Sequence, residues 1–483
     1  MNHVSAKQPN VLWICSDQQR SDTLGCYGNP WVATPNLDGL AESGALFENA
    51  FCQSPVCTPS RGAFLTGRYP RTSGTSRNGS DIPEHEVLVT RILADAGYRC
   101  GLSGKLHLSA CNPSVCPTME RRIDDGYTDF HWSHDTAGGW GEHNEYYAWL
   151  ARKGESYRTE KLDACRWVEY GMKEESHQTT WCAEKAINFI EAAVGGGPWL
   201  FSVNMYDPHH PFDPPKEYLD RYLGRLSDIP LPIYREGEEK TKTRYQAIDH
   251  VGAYGGNAGF PYASMSDSDH RYLRAAYWAM CDLIDAQTGR MLEALRRTGQ
   301  LENTIVIFMS DHGEMLGDHG IYLKGPYFYE QAVKVPLIVS WPGHIKPGRR
   351  KELVELLDLP RTILEFAGLE GHAGIQGRSL VPALAGSGSH APRKSVYSEY
   401  YDAMPWHKDP VPNATMLRTV DKKIVVAHGT EEGELYDLSC DPDEQENLWN
   451  RTDRIGLKAD MLKALADGMA ATIDPLPMRR SDW

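Results

Sequence analysis

The apolar positions of this chain fall into two kinds of run, and their alternation limits the fold before any single residue is considered. Asn10-Val11-Leu12-Trp13-Ile14-Cys15-Ser16 is almost continuously apolar and ends in the polar pair Asp17-Gln18. Trp199-Leu200-Phe201-Ser202-Val203-Asn204-Met205 repeats the design, as does Thr304-Ile305-Val306-Ile307-Phe308-Met309-Ser310, which ends in Asp311-His312. Short uninterrupted apolar runs of this kind suit strands buried on both faces. Val335-Pro336-Leu337-Ile338-Val339-Ser340 is a fourth, with the proline expected at its start because it has no N–H for a ladder. Between these runs the apolar spacing becomes helical, notably over 183–193 and 271–297, the latter preceded by a Ser266/Asp269 pair spaced as a capping box.

Strands alternating with long helices predict an α/β fold, a large mostly parallel sheet sandwiched by helices. Ligands of such sheets gather beyond the carboxyl ends of the strands, where Asp17, Asp311 and His312 fall. The interval 211–268 is rich in Pro, Gly, Tyr and mixed charge, and reads as an irregular insertion over the site. After about residue 376 the pattern shortens, with 395–400, 414–419, 422–427 and 434–438 reading as a small antiparallel sheet and 455–472 as a helix. The expected division is a catalytic domain of 1–375 and a C-terminal subdomain of 376–483.

Composition narrows the class. With 41% apolar and 24% charged residues among 483, the chain has material for a large core. A net charge of −15 argues against a nucleic-acid or anionic-membrane partner, and no segment has the roughly 18 apolar residues of a membrane span. Residues 1–9 carry no apolar leader, so the cytoplasm of a bacterial cell is the expected location and the sequons at Asn78 and Asn413 are expected to be unused. Eleven cysteines at irregular spacings read as reduced thiols. Cys111 and Cys116 are close enough in sequence to pair or to share a metal, although no Cys/His cluster beside them completes a ligand set.

Four further segments carry candidate chemistry. Cys57-Thr58-Pro59-Ser60-Arg61, followed by Thr66-Gly67-Arg68, presents a cysteine on a turn before a helix suggested by Gly62-Ala63-Phe64-Leu65, whose first N–H groups would face an anion. Taken alone, Cys57 also reads as a buried thiol and Arg61 as a solvated charge. Gly104-Lys105-Leu106-His107-Leu108 puts Lys105 and His107 on one face if extended. Pro208-His209-His210-Pro211 restrains two imidazoles between prolines, and Ser310-Asp311-His312-Gly313-Glu314 runs on to Leu323-Lys324-Gly325.

Together these segments resemble the formylglycine-dependent sulfatases of the alkaline phosphatase superfamily, over nearly the whole chain. The resemblance implies that Cys57 is oxidised to formylglycine by a formylglycine-generating enzyme, and that its hydrate attacks the sulfur of a sulfate ester. It implies that Arg61 holds the hydrate, Lys105 the sulfate oxygens, and His107 the hydroxyl whose proton leaves when sulfate is released. His209 and Lys324 are then expected to act on the leaving oxygen. Asp17, Gln18, Asp311 and His312 are expected to bind one divalent cation, Ca²⁺ by family default, with Mn²⁺ or another borderline ion as the alternative that the nitrogen donor admits. A second reading is a phosphonate monoester or phosphodiester hydrolase of the same superfamily, which such Asp-Gln and Asp-His pairs also resemble; Lys105 and His107 favour sulfate. A non-catalytic binding protein is a remote third. The aromatic groups Trp132, His134, Trp140, His143, Tyr146 and Tyr147, and Tyr401, Met404, Trp406 and His407, suit either packing or a sugar ring, and favour a carbohydrate sulfate over a simple aryl sulfate. Arg235, Lys240, Lys242 and Arg244 suit either a solvated loop or an acidic sugar. The oligomeric state is left open.

Overall fold

The computed structural model describes residues 8–136, 139–386, 391–479 and 481. In chain order its strands are β1 (Asn10–Ser16), β2 (Ala45–Phe51), β3 (Arg99–Gly104), β4 (Tyr127–Trp132), the short pair β5 (Glu160–Lys161) and β6 (Glu169–Tyr170), then β7 (Trp199–Asn204), β8 (Thr304–Ser310), β9 (Lys334–Val335), β10 (Leu337–Ser340) and β11 (Gly348–Glu355). The C-terminal part adds β12 (Ser395–Tyr401), β13 (Asn413–Thr419), β14 (Lys422–Ala427) and β15 (Gly433–Asp437).

The main sheet runs β11-β2-β10-β8-β1-β7-β3-β4, with β9 also paired to β2. The three continuous apolar runs lie at its centre: β1 is parallel to β7 on one side and β8 on the other. The register of β1 against β8 aligns their polar ends. Ser16 pairs with Ser310, so Asp17 and Asp311 leave adjacent strands at the same level. The fourth run behaves differently from its expectation, because Pro336 divides it into β9 and β10, and β10 is antiparallel to both β2 and β8.

Alternate residues of each central strand feed opposite cores. Val11, Trp13 and Cys15 pack with Phe64 and Leu65 on one face, and Leu12 and Ile14 pack with Ala186, Ile190, Met291 and Leu295 on the other. The second face is closed by the helices Gln178–Ala192 and Asp267–Arg297. Ser266 and Asp269 form the expected capping box at the start of the longer helix. The C-terminal strands form the antiparallel sheet β12-β13-β14-β15, against which helix Ile455–Ala471 lays Met461 and Leu465.

Two expectations change. The insertion at 211–268 is partly helical, with Lys216–Leu223 and Arg244–His250. The helix expected from Gly62 instead begins at Cys57 and runs to Thr66, because Pro59 falls in its first turn, where a missing N–H costs nothing. No helix among the described residues is long and apolar enough to cross a membrane.

Candidate active site

β1 and β8 deliver Asp17 and Asp311, and the helix Cys57–Thr66, packed on one face of the sheet through Phe64 and Leu65, has Cys57 as its first residue. The Cys57 sulfur lies 3.1 Å from Lys324 Nζ, 3.2 Å from His312 Nε2, 3.5 Å from Lys105 Nζ and 3.6 Å from Asp17 Oδ1. All of these groups are buried. Residues remote in sequence thus converge on one atom.

Arg61, one turn along the helix, locks the carboxylates in place. Its Nε donates to Asp311 Oδ2 at 2.9 Å, its Nη2 to Asp17 Oδ2 at 3.3 Å, and its Nη1 to the Lys105 carbonyl at 2.8 Å. Lys105 forms a close ion pair with Asp17 as well. Gln18 adopts a left-handed backbone (φ 67°), which lets its N–H donate to Asp311 Oδ1 at 3.0 Å. Its side-chain oxygen accepts from Lys324 Nζ at 2.6 Å, and its amide nitrogen donates to the buried Glu314.

The electrostatics are those of crowded, dry charges. Burial pushes the Asp17 carboxyl up, but Lys105, His209, Arg61 and Lys324 overcome it and hold Asp17 well below the ordinary range. Asp311 goes the other way, raised by burial and by the Asp17 charge. The Cys57 thiol is lowered well below its usual value, since Lys105, Lys324 and His312 outweigh burial and Asp17. Burial, Lys105 and Arg61 hold His107 neutral. Burial, Lys324 and His210 do the same for His209, and burial with Lys324 lowers His210 to about 3.

The donor set fits a divalent cation. Ligand atoms of Asp17, Cys57, Asp311 and His312 all lie within 4.8 Å of one another. His312 donates from Nδ1 to the Gly313 carbonyl at 2.9 Å, which turns Nε2 toward the cluster, 3.8 Å from an oxygen of each aspartate. Burial is outweighed by Asp311 and Cys57, which raise its pKa, and a cation bound there would take the place of the Nε2 proton. Two buried carboxylates that repel each other are the environment a cation relieves.

Other candidates are placed less simply. His107 sits near the site but in a left-handed turn (φ 54°), so Lys105 and His107 do not share an extended face. His209 donates from Nδ1 to the His210 carbonyl at 2.6 Å and has Cys57 as a hydrogen-bonding neighbour of its ring. Three of the four basic residues singled out in the insertion serve the C-terminal part: Arg235 bonds the Gln445 carbonyl at 2.9 Å, Lys242 the Tyr436 hydroxyl at 2.8 Å, and Arg244 pairs with Glu432 at 2.9 Å. Cys111 has companions that the local sequence does not reveal, since Glu120 and His134 bring ligand atoms within 4.8 Å of it and of each other. Glu120 is already committed there. Its carboxylate accepts from the N–H groups of His107 and Leu108 at 2.8 Å, from Ser109 N at 3.3 Å and from Trp132 Nε1 at 2.9 Å.

Sequence reasoning missed Glu120, and also Asn78, whose side-chain oxygen accepts from Thr58 N at 3.0 Å and so caps the Cys57 helix. Tyr277 was missed too; its hydroxyl donates to the Gln18 carbonyl at 2.5 Å. None has a local signal, because each partner lies more than ten residues away.

Comparison with known proteins gives a consistent picture. A family model described as Sulfatase matches residues 9–369, and one described as N-sulphoglucosamine sulphohydrolase, C-terminal, matches residues 317–471. An arylsulfatase of Clostridium perfringens (strain 13 / Type A) is 30% identical over 460 residues, covering 92% of this chain and 90% of that protein. An N-acetylglucosamine-6-O-sulfatase of Bacteroides thetaiotaomicron is 25% identical over 514 residues, covering 95% of this chain and 86% of that protein. Among solved structures, the phosphonate monoester hydrolase SpPMH from Silicibacter pomeroyi superposes with a TM-score of 0.83 at 23% identity, covering 97% of this chain and 96% of that one. At that identity the last likeness is one of fold.

Proposed function

The chain belongs to the sulfatase family, and from that premise we propose that it hydrolyses sulfate esters at residue 57, with a sugar or aryl ring as the leaving group. The observation that carries this reading is the meeting of Lys105, Lys324, His312 and Asp17 around one sulfur atom at the carboxyl ends of β1 and β8. Residue 57 would carry formylglycine, whose hydrate supplies an oxygen nucleophile and a second hydroxyl. Asp17, Gln18, Asp311 and His312 would hold one Ca²⁺ or Mn²⁺, which supplies Lewis acidity toward that oxygen and the sulfate.

The chain's own residues divide the remaining work. Arg61 keeps the two carboxylates aligned, and through them the approach to residue 57. Lys105 offers a buried ammonium to the oxygens of a bound sulfate, where low dielectric strengthens it. His209 is neutral with its proton on Nδ1, so the group with a proton to place on the departing ester oxygen is Lys324. His107 is neutral and its Nδ1 has no hydrogen-bond partner among the described residues, which suits it to take a proton from a hydroxyl at residue 57.

The saccharide preference is supported by a relative named N-acetylglucosamine-6-O-sulfatase. Of the aromatic groups singled out in the sequence, Trp132, Trp140 and Tyr146 are buried in packing, and Trp406 is exposed. Phosphonate monoester hydrolysis is the second reading, favoured by the Asp17-Gln18 and Asp311-His312 pairs. We place the catalytic domain at 1–375 and the C-terminal subdomain at 376–483. Side-by-side rates on 4-nitrophenyl sulfate and a phenyl phosphonate monoester test the choice. Faster sulfate release supports the proposal; dominant phosphonate turnover replaces it with the second reading.

A further inference from the structure

A row of rings leads outward from residue 57. His209 stacks on His210 with centroids 4.1 Å apart, His210 meets the edge of Tyr254 at 6.0 Å, and Tyr254 lies parallel to Trp406 at 6.4 Å with 12° between planes. Tyr254 is only 7% exposed, whereas Trp406 is 43% exposed, unusual for so large an apolar side chain. The Tyr254 hydroxyl bonds no described residue, although the charges of Glu314, Cys57 and Asp17 all act on it.

These two rings come from different parts of the chain, and a single carboxylate joins them. Asp249 is fully buried and accepts from Tyr254 N at 3.3 Å, Gly255 N at 2.8 Å and His407 Nε2 at 2.8 Å, with the Tyr327 hydroxyl as a fourth donor. Those bonds hold Tyr254 in a left-handed conformation (φ 57°) that a tyrosine adopts only under constraint, and they anchor the residue next to Trp406. A packing role alone gives no reason to hold a tryptophan half in water at the end of such a row.

We propose that Tyr254 and Trp406 form a leaving-group platform that selects esters of ring-bearing alcohols, sugars or phenols, over small alkyl esters. This inference rests on the sulfatase reading of the site and deepens it. The apolar face of a pyranose or an aryl ring stacks on such a surface, whereas an ethyl group offers no ring face to stack.

The test is the ratio of kcat/KM for phenyl sulfate to that for ethyl sulfate, measured on the full chain as wild type, Trp406→Ala and Trp406→Phe. The same ratio is taken in parallel on phenyl and ethyl methylphosphonates. In Trp406→Ala the ratio falls roughly tenfold, mostly through KM, and Trp406→Phe restores most of it. An unchanged ratio in Trp406→Ala, or a fall in Trp406→Phe as deep as in the alanine variant, overturns the platform and leaves the reaction assignment standing. A wild-type protein inactive on all of these esters overturns the reading of the site, and the platform with it.

Discussion

At the scale of single residues, the centre is a balance of buried charges in which each group's protonation is set by its neighbours. Lys324 is the sharpest case. It bridges the Gln18 amide oxygen and the Cys57 sulfur, and neutral His209 beside it has no proton to spare. Lys324→Ala is therefore expected to lower kcat on a sugar sulfate by about 10²–10³, as loss of a donor to a developing oxyanion does. The loss on 4-nitrophenyl sulfate should be smaller, because that phenolate needs less help to leave; steady-state rates on the two esters check this. His210 makes a pH prediction. Its pKa is lowered to about 3 by burial and Lys324, so the folded protein binds the His210 proton less readily than the unfolded chain does. The stability this contributes is complete above the unfolded value of about 6.5 and drains away as pH falls toward the folded one. The drop in urea midpoint between pH 7 and pH 5 should accordingly be smaller in His210→Gln than in wild type.

At the scale of elements, the site depends on how strands end. β3 ends in Gly104 at φ 98°, and a Cβ there would lie 1.9 Å from the Asn204 carbonyl oxygen on neighbouring β7. No small shift relieves a clash with backbone. Gly104→Ala is expected to cost at least ~2 kcal/mol in urea unfolding and to displace Lys105, the next residue, so that activity falls further than stability alone explains. The central strands were readable from sequence because they are buried on both faces and therefore continuously apolar. The antiparallel direction of β10 was not, since pairing with β2 and β8 is a long-range event that a local pattern does not encode. The start of the Cys57 helix was misplaced for a similar reason. Val56 is extended and supplies no cap, while the capping oxygen comes from Asn78, read in the sequence only as a sequon. Asp17, Lys105, Asp311, His312 and Lys324 were legible as motifs and do converge around Cys57; Glu120 and Tyr277 were invisible because each acts on the site by a bond to a residue outside its own segment.

At the scale of the whole molecule, the small C-terminal sheet is tied to the segment that follows β8 by charge buried between them. Lys423 on β14 is fully buried and meets Glu444 at 2.7 Å, Glu330 at 2.8 Å and the Phe328 carbonyl at 2.9 Å. Removing one partner of such a cluster leaves the others uncompensated. Lys423→Ala is expected to destabilise the protein by about 3–5 kcal/mol, read as a fall in the urea midpoint. Lys242 braces the insertion from a buried position by donating to the Tyr436 hydroxyl, and Arg244 adds an ion pair with Glu432 at the surface.

All three scales lead back to residue 57. The most direct test is peptide mass spectrometry of that residue in protein made with a formylglycine-generating enzyme, paired with sulfate release from the same preparations. The account predicts a peptide lighter than the cysteine form, present in proportion to specific activity across preparations, and no turnover by Cys57→Ala. Full activity in protein whose residue 57 is entirely an unmodified thiol would contradict it.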